Sequence, residues 1–352
     1  MPHTVFLSVH PRSARALAAV AILASSAAAL AQPDYGFDLV TIGAVGNAPY
    51  VNPDNVAQLV NGRGRVDYEY RIGRTEITSA QWLDFLQTFQ SIPSPSPFWE
   101  NEPVFWGGYR DINDTYHLRN APNASMLPCG GITWRMAALY CNWLHNGKSA
   151  DPGSLVTGAY DSTTWGRGPR PFEITDAPVH LVGARFWIPT LDEQLKAFQY
   201  DPHRFGPGLG GWWEARNMAD TPGVSGPPGI GTTSAGWRTD DDPWAAWEIP
   251  LGAYPQSVSP WGLLDTSGGA DEWNEQIFGP DYPRERGLMG SYAGDHAPAW
   301  QFYDRAWGAG SHGPDFASHE GLRIAALVPT PGSIVAVLCG FLLRARRSTR
   351  RI

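Results

Sequence analysis

WGLLDTSGGADEW, residues 261–273, places two indoles, Trp261 and Trp273, on either side of a Gly-Gly turn. Asp265 and Glu272 sit seven residues apart across that turn, and Asp271 adds a third acid. Three readings compete for such a stretch. It is a catalytic acid pair, a metal site, or a solvated hairpin with its Trp residues in the core. The acid pair requires a sugar cleft between the carboxylates, and nothing in the surrounding sequence signals one. A metal site fits the residue types. Calcium takes six to eight oxygens, mixing carboxylates with carbonyls in flexible loops. Gly268 and Gly269 let a chain turn its carbonyls inward without Cβ clashes.

Outward from this turn, the chain divides into three parts. Arg12 and Arg15 precede the apolar run ALAAVAILASSAAAL, which ends in Ala29-Leu30-Ala31. A basic start, an apolar run and an A-x-A site read as a secretory signal peptide over 1–31. The run is shorter than the roughly 20 apolar residues a membrane span needs. At the other end, Pro329-Thr330-Pro331-Gly332 leads into SIVAVLCGFLL and then Arg344, Arg346, Arg347, Arg350 and Arg351. An apolar segment followed by arginines stalls in a membrane with its basic side in the cytoplasm. This tail, 329–352, resembles the PEP-CTERM sorting signal, with Thr330 where that motif has Glu. The resemblance implies a sorting transpeptidase as partner and delivery to the cell envelope or outer surface. A plain tail anchor is the alternative, and either way membrane contact is confined to the tail.

The middle part, 32–328, carries the fold. Gly (39) and Pro (31) together are about a fifth of the chain, below the ~25–30% that signals disorder. Sixteen Trp, 13 Tyr and 14 Phe supply apolar area for a core. A net charge of −8 argues against nucleic acid as a partner, which wants basic stripes. Cys339 falls in the tail. Cys129 and Cys141 remain, and Cys141 falls inside a patterned helix, which favours two free buried thiols over a bridge.

Local patterns predict few helices and many short strands. Thr78 and Gln81 form a capping box before the stripe Trp82, Phe85, Leu86 and Phe89. Thr133 opens a second helix with Trp134, Ala137, Ala138, Cys141 and Leu144 on one side and Gly147 beyond its end. Thr190 and Glu193 cap a third. Strands are expected at 37–43, 68–77, 185–188, 262–264, 272–277, 286–292 and 320–327, with loops over 151–184 and 201–260. The class is α+β, a single loop-rich domain with short twisted antiparallel strands.

Six ordered blocks resemble one family. They are Gly73–Trp82 (GRTEITSAQW), Ile132–Leu144 (ITWRMAALYCNWL), Ile188–Gln194 (IPTLDEQ), Gly262–Trp273, Gly290–Tyr292 (GSY) and Gly321–Ala325 (GLRIA). Together they are similar to formylglycine-generating enzyme, or sulfatase-modifying factor, domains. The resemblance implies a variant C-type-lectin-like fold. It also implies a structural calcium held by Asp265 and Glu272 and by the main-chain oxygens of Gly268 and Ala270. A second, weaker calcium site maps onto Asn217 and Met218 with Asp242 and Trp244, although Asp240 and Asp241 leave that register open.

The same resemblance speaks against oxidase chemistry. The family's oxidases hold copper(I) with two cysteines shortly after the "G-G-S" block, and soft thiolates are what copper(I) needs. Here those positions read Gly294 and about Ala299, so copper is not expected. The expected role is a binding module for a peptide, a glycan or another surface protein. Its candidate pocket residues are Tyr292, Asp295, His296, Trp300, Trp307 and His312, with Trp261 nearby. The alternative is an oxidoreductase with a different metal set. Its best ligands are His296, His312 and His319, beside Asp295 and Glu320, which suit iron or zinc.

Overall fold

A computed structural model describes residues 34–51, 59–100, 102–169, 173–278, 285–296, 299–306 and 308–329. The expected signal peptide, nearly all of the expected sorting tail, and Trp307 lie outside the described residues. Phe37–Leu327 form one unit; Met1–Gly36 with Val328–Ile352 form another, of which only 34–36 and 328–329 are described.

The capping signals are realised at the helix starts. Helix α1 (Ser79–Phe89) carries the reciprocal capping box of Thr78 and Gln81. Helix α2 (Trp134–His145) is capped by the Thr133 side chain, and Gly147 lies just past its end at φ +79°. Helix α3 (Leu191–Gln199) carries the box of Thr190 and Glu193. A five-residue helix, α4 (Ala299–Tyr303), is one the sequence pattern does not announce. Aromatic faces join α1 to α2: Trp82 stacks on Tyr140 at 5.1 Å, and Phe85 meets the same ring edge-on at 5.2 Å. Cys141 lies on the buried side of α2, and Cys129 and Cys141 are both free and buried.

Two four-stranded sheets carry the chain. The first orders β1 (Leu39–Ile42), β2 (Tyr70–Gly73), β12 (Ala325–Ala326) and β5 (Phe186–Trp187), all antiparallel. The second orders β10 (Ala309–His312), β9 (Arg286–Met289), β8 (Asp271–Ile277) and β11 (Glu320–Gly321). In it β8 pairs antiparallel with β9, but β11 joins β8 in parallel, with Glu320 opposite Asp271 and Gly321 opposite Glu272. Two hairpins, β3 (Gly108–Arg110) with β4 (Tyr116–Leu118) and β6 (Tyr200–Asp201) with β7 (Gly211–Trp212), stand apart. The strand expected at 262–264 is absent. Leu264 N instead donates to Arg74 O, and Leu263 closes a turn on Ser259, so these residues bond to a local turn and to Arg74 rather than to one partner strand.

The Trp residues of the opening stretch have different fates. Trp273 is fully buried and donates to Ile132 O at 2.8 Å, while Trp134 returns a bond to Asn274 O at 3.2 Å. These two indoles fasten the start of α2 to β8. Arg286 lies 3.7 Å over the Trp134 ring and donates to the carbonyls of Ala177, Pro178 and Glu275.

Candidate functional site

Successive side chains of a strand face opposite sides, and β8 uses this to split two neighbouring acids between two sites. Glu272 faces inward and Asp271 faces a cleft.

The inward site is a buried cluster of carboxylates around one guanidinium. Arg323, with no exposed side-chain surface, bonds Glu272 at 2.7 Å. It also donates to the carbonyls of Gly73, Arg74, Leu264 and Asp265. Gln194 Nε2 adds a bond to Glu272 at 3.0 Å. Asp265 has φ +52° and accepts from Gly252 N at 2.7 Å. Glu76 accepts from Ala270 N at 3.0 and 3.2 Å. Burial, and then the charge of Glu272, raises the Glu76 pKa well above the carboxylate range. Burial likewise pushes Asp265 up to about 6, against the bond from Gly252 and the charge of Arg323. The turn is zipped to the block that follows β9: Gly268 N donates to Ser291 O and Ala293 N to Gly269 O. Asp265, Gly268 and Ala270 lie on the turn, and Glu272 follows it in β8. Three buried acids thus share one guanidinium, and both Glu272 oxygens are taken by Arg323 and Gln194.

Asn217 and Asp242 lie on separate loops. Met218 has φ +54°, and Asn217 Oδ1 is buried without a hydrogen-bond partner. Asp242 is exposed and closes its own turn, accepting from Trp244 N at 2.8 Å and from Thr239 and Ala245.

The outward site is a cleft of about 220 Å³, walled on one side by β9 and β10 and on the other by the loops around Tyr292 and His319. Its chemistry sits on Asp271, Tyr292, Asp295, Tyr303, His312 and His319. His319 Nδ1 lies 2.8 Å from Asp271 Oδ1, and His312 Nδ1 bonds Glu320 Oε1. Tyr292 stacks on the His319 ring at 3.8 Å, and the two imidazoles are 5.6 Å apart between centres. Burial alone lowers the His319 pKa, but the bond and charge of Asp271, backed by Glu320 and Asp295, outweigh it and raise it. Burial raises Asp271, against its bond to His319. Burial, then Asp295 and Asp271, pushes the Tyr292 phenol up to about 12. Glu320 is lowered because its bonds from His312 and Ser318 N overcome burial.

Of the expected pocket residues, Tyr292, Asp295 and His312 line this cleft, and His319 joins them. Two do not. His296 is exposed and pairs its Nε2 with Arg238 at 2.7 Å, so the trio His296, His312 and His319 does not converge. Trp300 is 4% exposed, with its indole laid against Gly236, and serves the core. Trp261 is half-buried on the turn and is not part of the cleft lining. Asp271 was visible as an acid, but its place opposite His319 depends on the parallel pairing of β11. Among the described residues, no three His, Cys, Asp or Glu side chains form a ready metal centre.

Gly294 departs from a thiol position in its backbone as well as its side chain. It has φ +77°, and a Cβ there would lie 3.0 Å from Pro243 O. Ala299 opens α4. The described thiols lie elsewhere: burial, only partly offset by a contact with Ser79, raises the Cys129 pKa, and burial followed by Glu275 raises Cys141 far above its ordinary value.

Comparison with known proteins agrees with this architecture. A family model described as sulfatase-modifying factor enzyme 1-like domain matches residues 54–327. Similar solved structures include CarF, at 16% identity and TM-score 0.51, covering 85% of this chain and 100% of that one. Treponema denticola variable protein 1 is 16% identical with TM-score 0.49, covering 83% of this chain and 95% of its own. PvdO from Pseudomonas aeruginosa is 12% identical with TM-score 0.42, covering 82% and 94%. At such identities CarF speaks for the fold alone. A comparison with curated proteins finds no match.

Proposed function

The chain belongs to the sulfatase-modifying factor enzyme 1-like family, and from that premise we propose that it is an exported, envelope-associated binding module without copper-thiolate chemistry. The observation that carries the lack of copper-thiolate chemistry is the backbone at Gly294. Its positive φ strains any side chain, and Pro243 O lies a tight 3.0 Å from where a Cβ would stand. The expected ligand is a peptide, a glycan or a surface protein, held in the cleft of Asp271, Tyr292, Asp295, His312 and His319.

The test is direct. Purified protein is incubated with copper(I), oxygen and a sulfatase peptide containing cysteine, and the peptide is weighed. Its mass is expected to stay unchanged. A loss of about 18 Da, the change from thiol to aldehyde, would overturn the reading. For the export reading, the surface form is expected to begin at Gln32 and to lack Arg351. An intact Arg351 in that form would leave a plain tail anchor.

Calcium belongs to the same proposal as a structural ion. Asp265 and Glu272 side chains would hold it, with the carbonyls of Gly268 and Ala270. The excess of buried acid over Arg323 supports this, as does the left-handed backbone at Asp265, Gly268 and Gly269. A ligand that binds only the folded form stabilises by about 2.7 kcal/mol at a hundredfold excess over Kd. Calcium is therefore expected to raise the melting temperature, and a chelator to lower it. Without calcium, Asp265 weakens the fold as pH rises from its unfolded value toward about 6, because its folded pKa is raised. Calcium should remove that slope. A melting temperature that ignores both chelator and calcium would mean that Arg323 alone balances the cluster.

One observation favours a second reading, an oxidoreductase with a different metal set: both cleft imidazoles are oriented by carboxylates through Nδ1.

A further inference from the structure

We infer that the cleft binds one divalent transition-metal ion between Nε2 of His312 and Nε2 of His319, with its remaining positions open to water and to the ligand. The inference rests on the reading that this cleft is the functional site, and it requires no redox step.

Three features of the cleft support it. The first is ring orientation. His312 commits Nδ1 to Glu320 and His319 commits Nδ1 to Asp271, so each ring keeps Nε2 for another partner. Metal-ligating histidines almost always give their other ring nitrogen to a carboxylate, carbonyl or water, which fixes the tautomer and raises basicity. His296 has the opposite arrangement, since its Nε2 is occupied by Arg238.

The second is spacing. With a metal–nitrogen bond of about 2.1 Å, an ion lies roughly 3.2 Å from each ring centre, so the observed 5.6 Å separation is compatible with a nitrogen–metal–nitrogen angle of about 120°. That angle is close to those of tetrahedral coordination. Stacking on Tyr292 holds one ring and contact with Phe316 at 4.4 Å holds the other, so both are fixed before any ion arrives.

The third is charge. Asp271 and Glu320 stand behind the imidazoles, and Asp295 lines the same cleft. Three carboxylates thus surround two imidazoles, an excess of negative charge around the rings. A dication relieves that repulsion, and imidazole suits zinc, copper(II), nickel and iron(II). Two protein ligands leave the ion's remaining positions open to water and to the ligand.

The test uses the full chain, stripped of metal and titrated with zinc by calorimetry in the presence of calcium. One zinc ion per chain is expected. His312→Gln and His319→Gln should each weaken binding at least tenfold. Asp271→Asn, which removes the carboxylate that orients His319, should weaken it about 10–100-fold. His296→Gln should bind as the wild type does. If the histidine variants fail to fold, pulsed electron paramagnetic resonance of the copper(II)-loaded wild type replaces them, and two coordinated imidazole nitrogens are expected. Absence of zinc binding, binding unmoved in folded His312→Gln and His319→Gln, or fewer than two imidazoles would each overturn the inference. None of these results bears on the peptide-oxidation test, so the two proposals fail separately.

Discussion

Replacing Arg323 by methionine is expected to destabilise the protein by about 3–5 kcal/mol, the cost of breaking a buried ion pair by removing one partner. The side chain is fully buried and bonds Glu272 at 2.7 Å and four main-chain carbonyls around it. Methionine fills much of the volume but donates nothing. Glu272 then loses its partner, and Glu76 and Asp265, whose raised pKa values the Arg323 charge holds down, resist ionisation more strongly. Such raised pKa values favour the folded state at low pH and cost stability as pH rises through them. The deficit should therefore be larger at pH 8 than at pH 5. Urea unfolding of wild type and Arg323→Met at both pH values checks it. Equal stability of the two proteins at pH 8 would show that the cluster does not depend on this arginine.

Gly269→Ala is expected to cost on the order of 3 kcal/mol, from backbone strain and a displaced buried carboxylate together. Gly269 has φ +70°, and a Cβ added there collides with Glu76 Oε1. Glu76 is buried and cannot retreat without giving up its bonds from Ala270 N. Gly229 provides the control. It has φ +86° with nothing within 4 Å of an added Cβ. Gly229→Ala should show strain alone, about 1 kcal/mol. If the two variants unfold at the same denaturant concentration, the close approach of Glu76 to the turn is not a stabilising feature.

Sequence by itself determined whatever is closed over a few residues. The boxes Thr78–Gln81 and Thr190–Glu193 each form within one helical turn, so the residues that make them also announce them. The Gly-Gly turn needs its backbone angles wherever it sits, and the six ordered blocks were enough to indicate the family that residues 54–327 match. The strand expected at 262–264 did not form because a short apolar stretch reports a buried segment, not a partner strand. Helix α4 is only five residues long, too short for an apolar period to show, and β10 exists only because β9 pairs with it, so neither carries a local signal.

The tertiary structure decided the chemistry. Asp271 and His319 are 48 residues apart, and Glu272 and Arg323 are 51 apart. One two-residue parallel pairing, β11 on β8, makes both contacts. It brings Glu320 beside Asp271, so that the strand's alternation sends one acid to the cleft histidines and its neighbour to the buried arginine. The same packing turns His296 toward Arg238 and Trp300 into the core, although both stood beside Tyr292 in sequence. Nearness along a chain does not set the direction of a side chain; the strand register and the packing around it do.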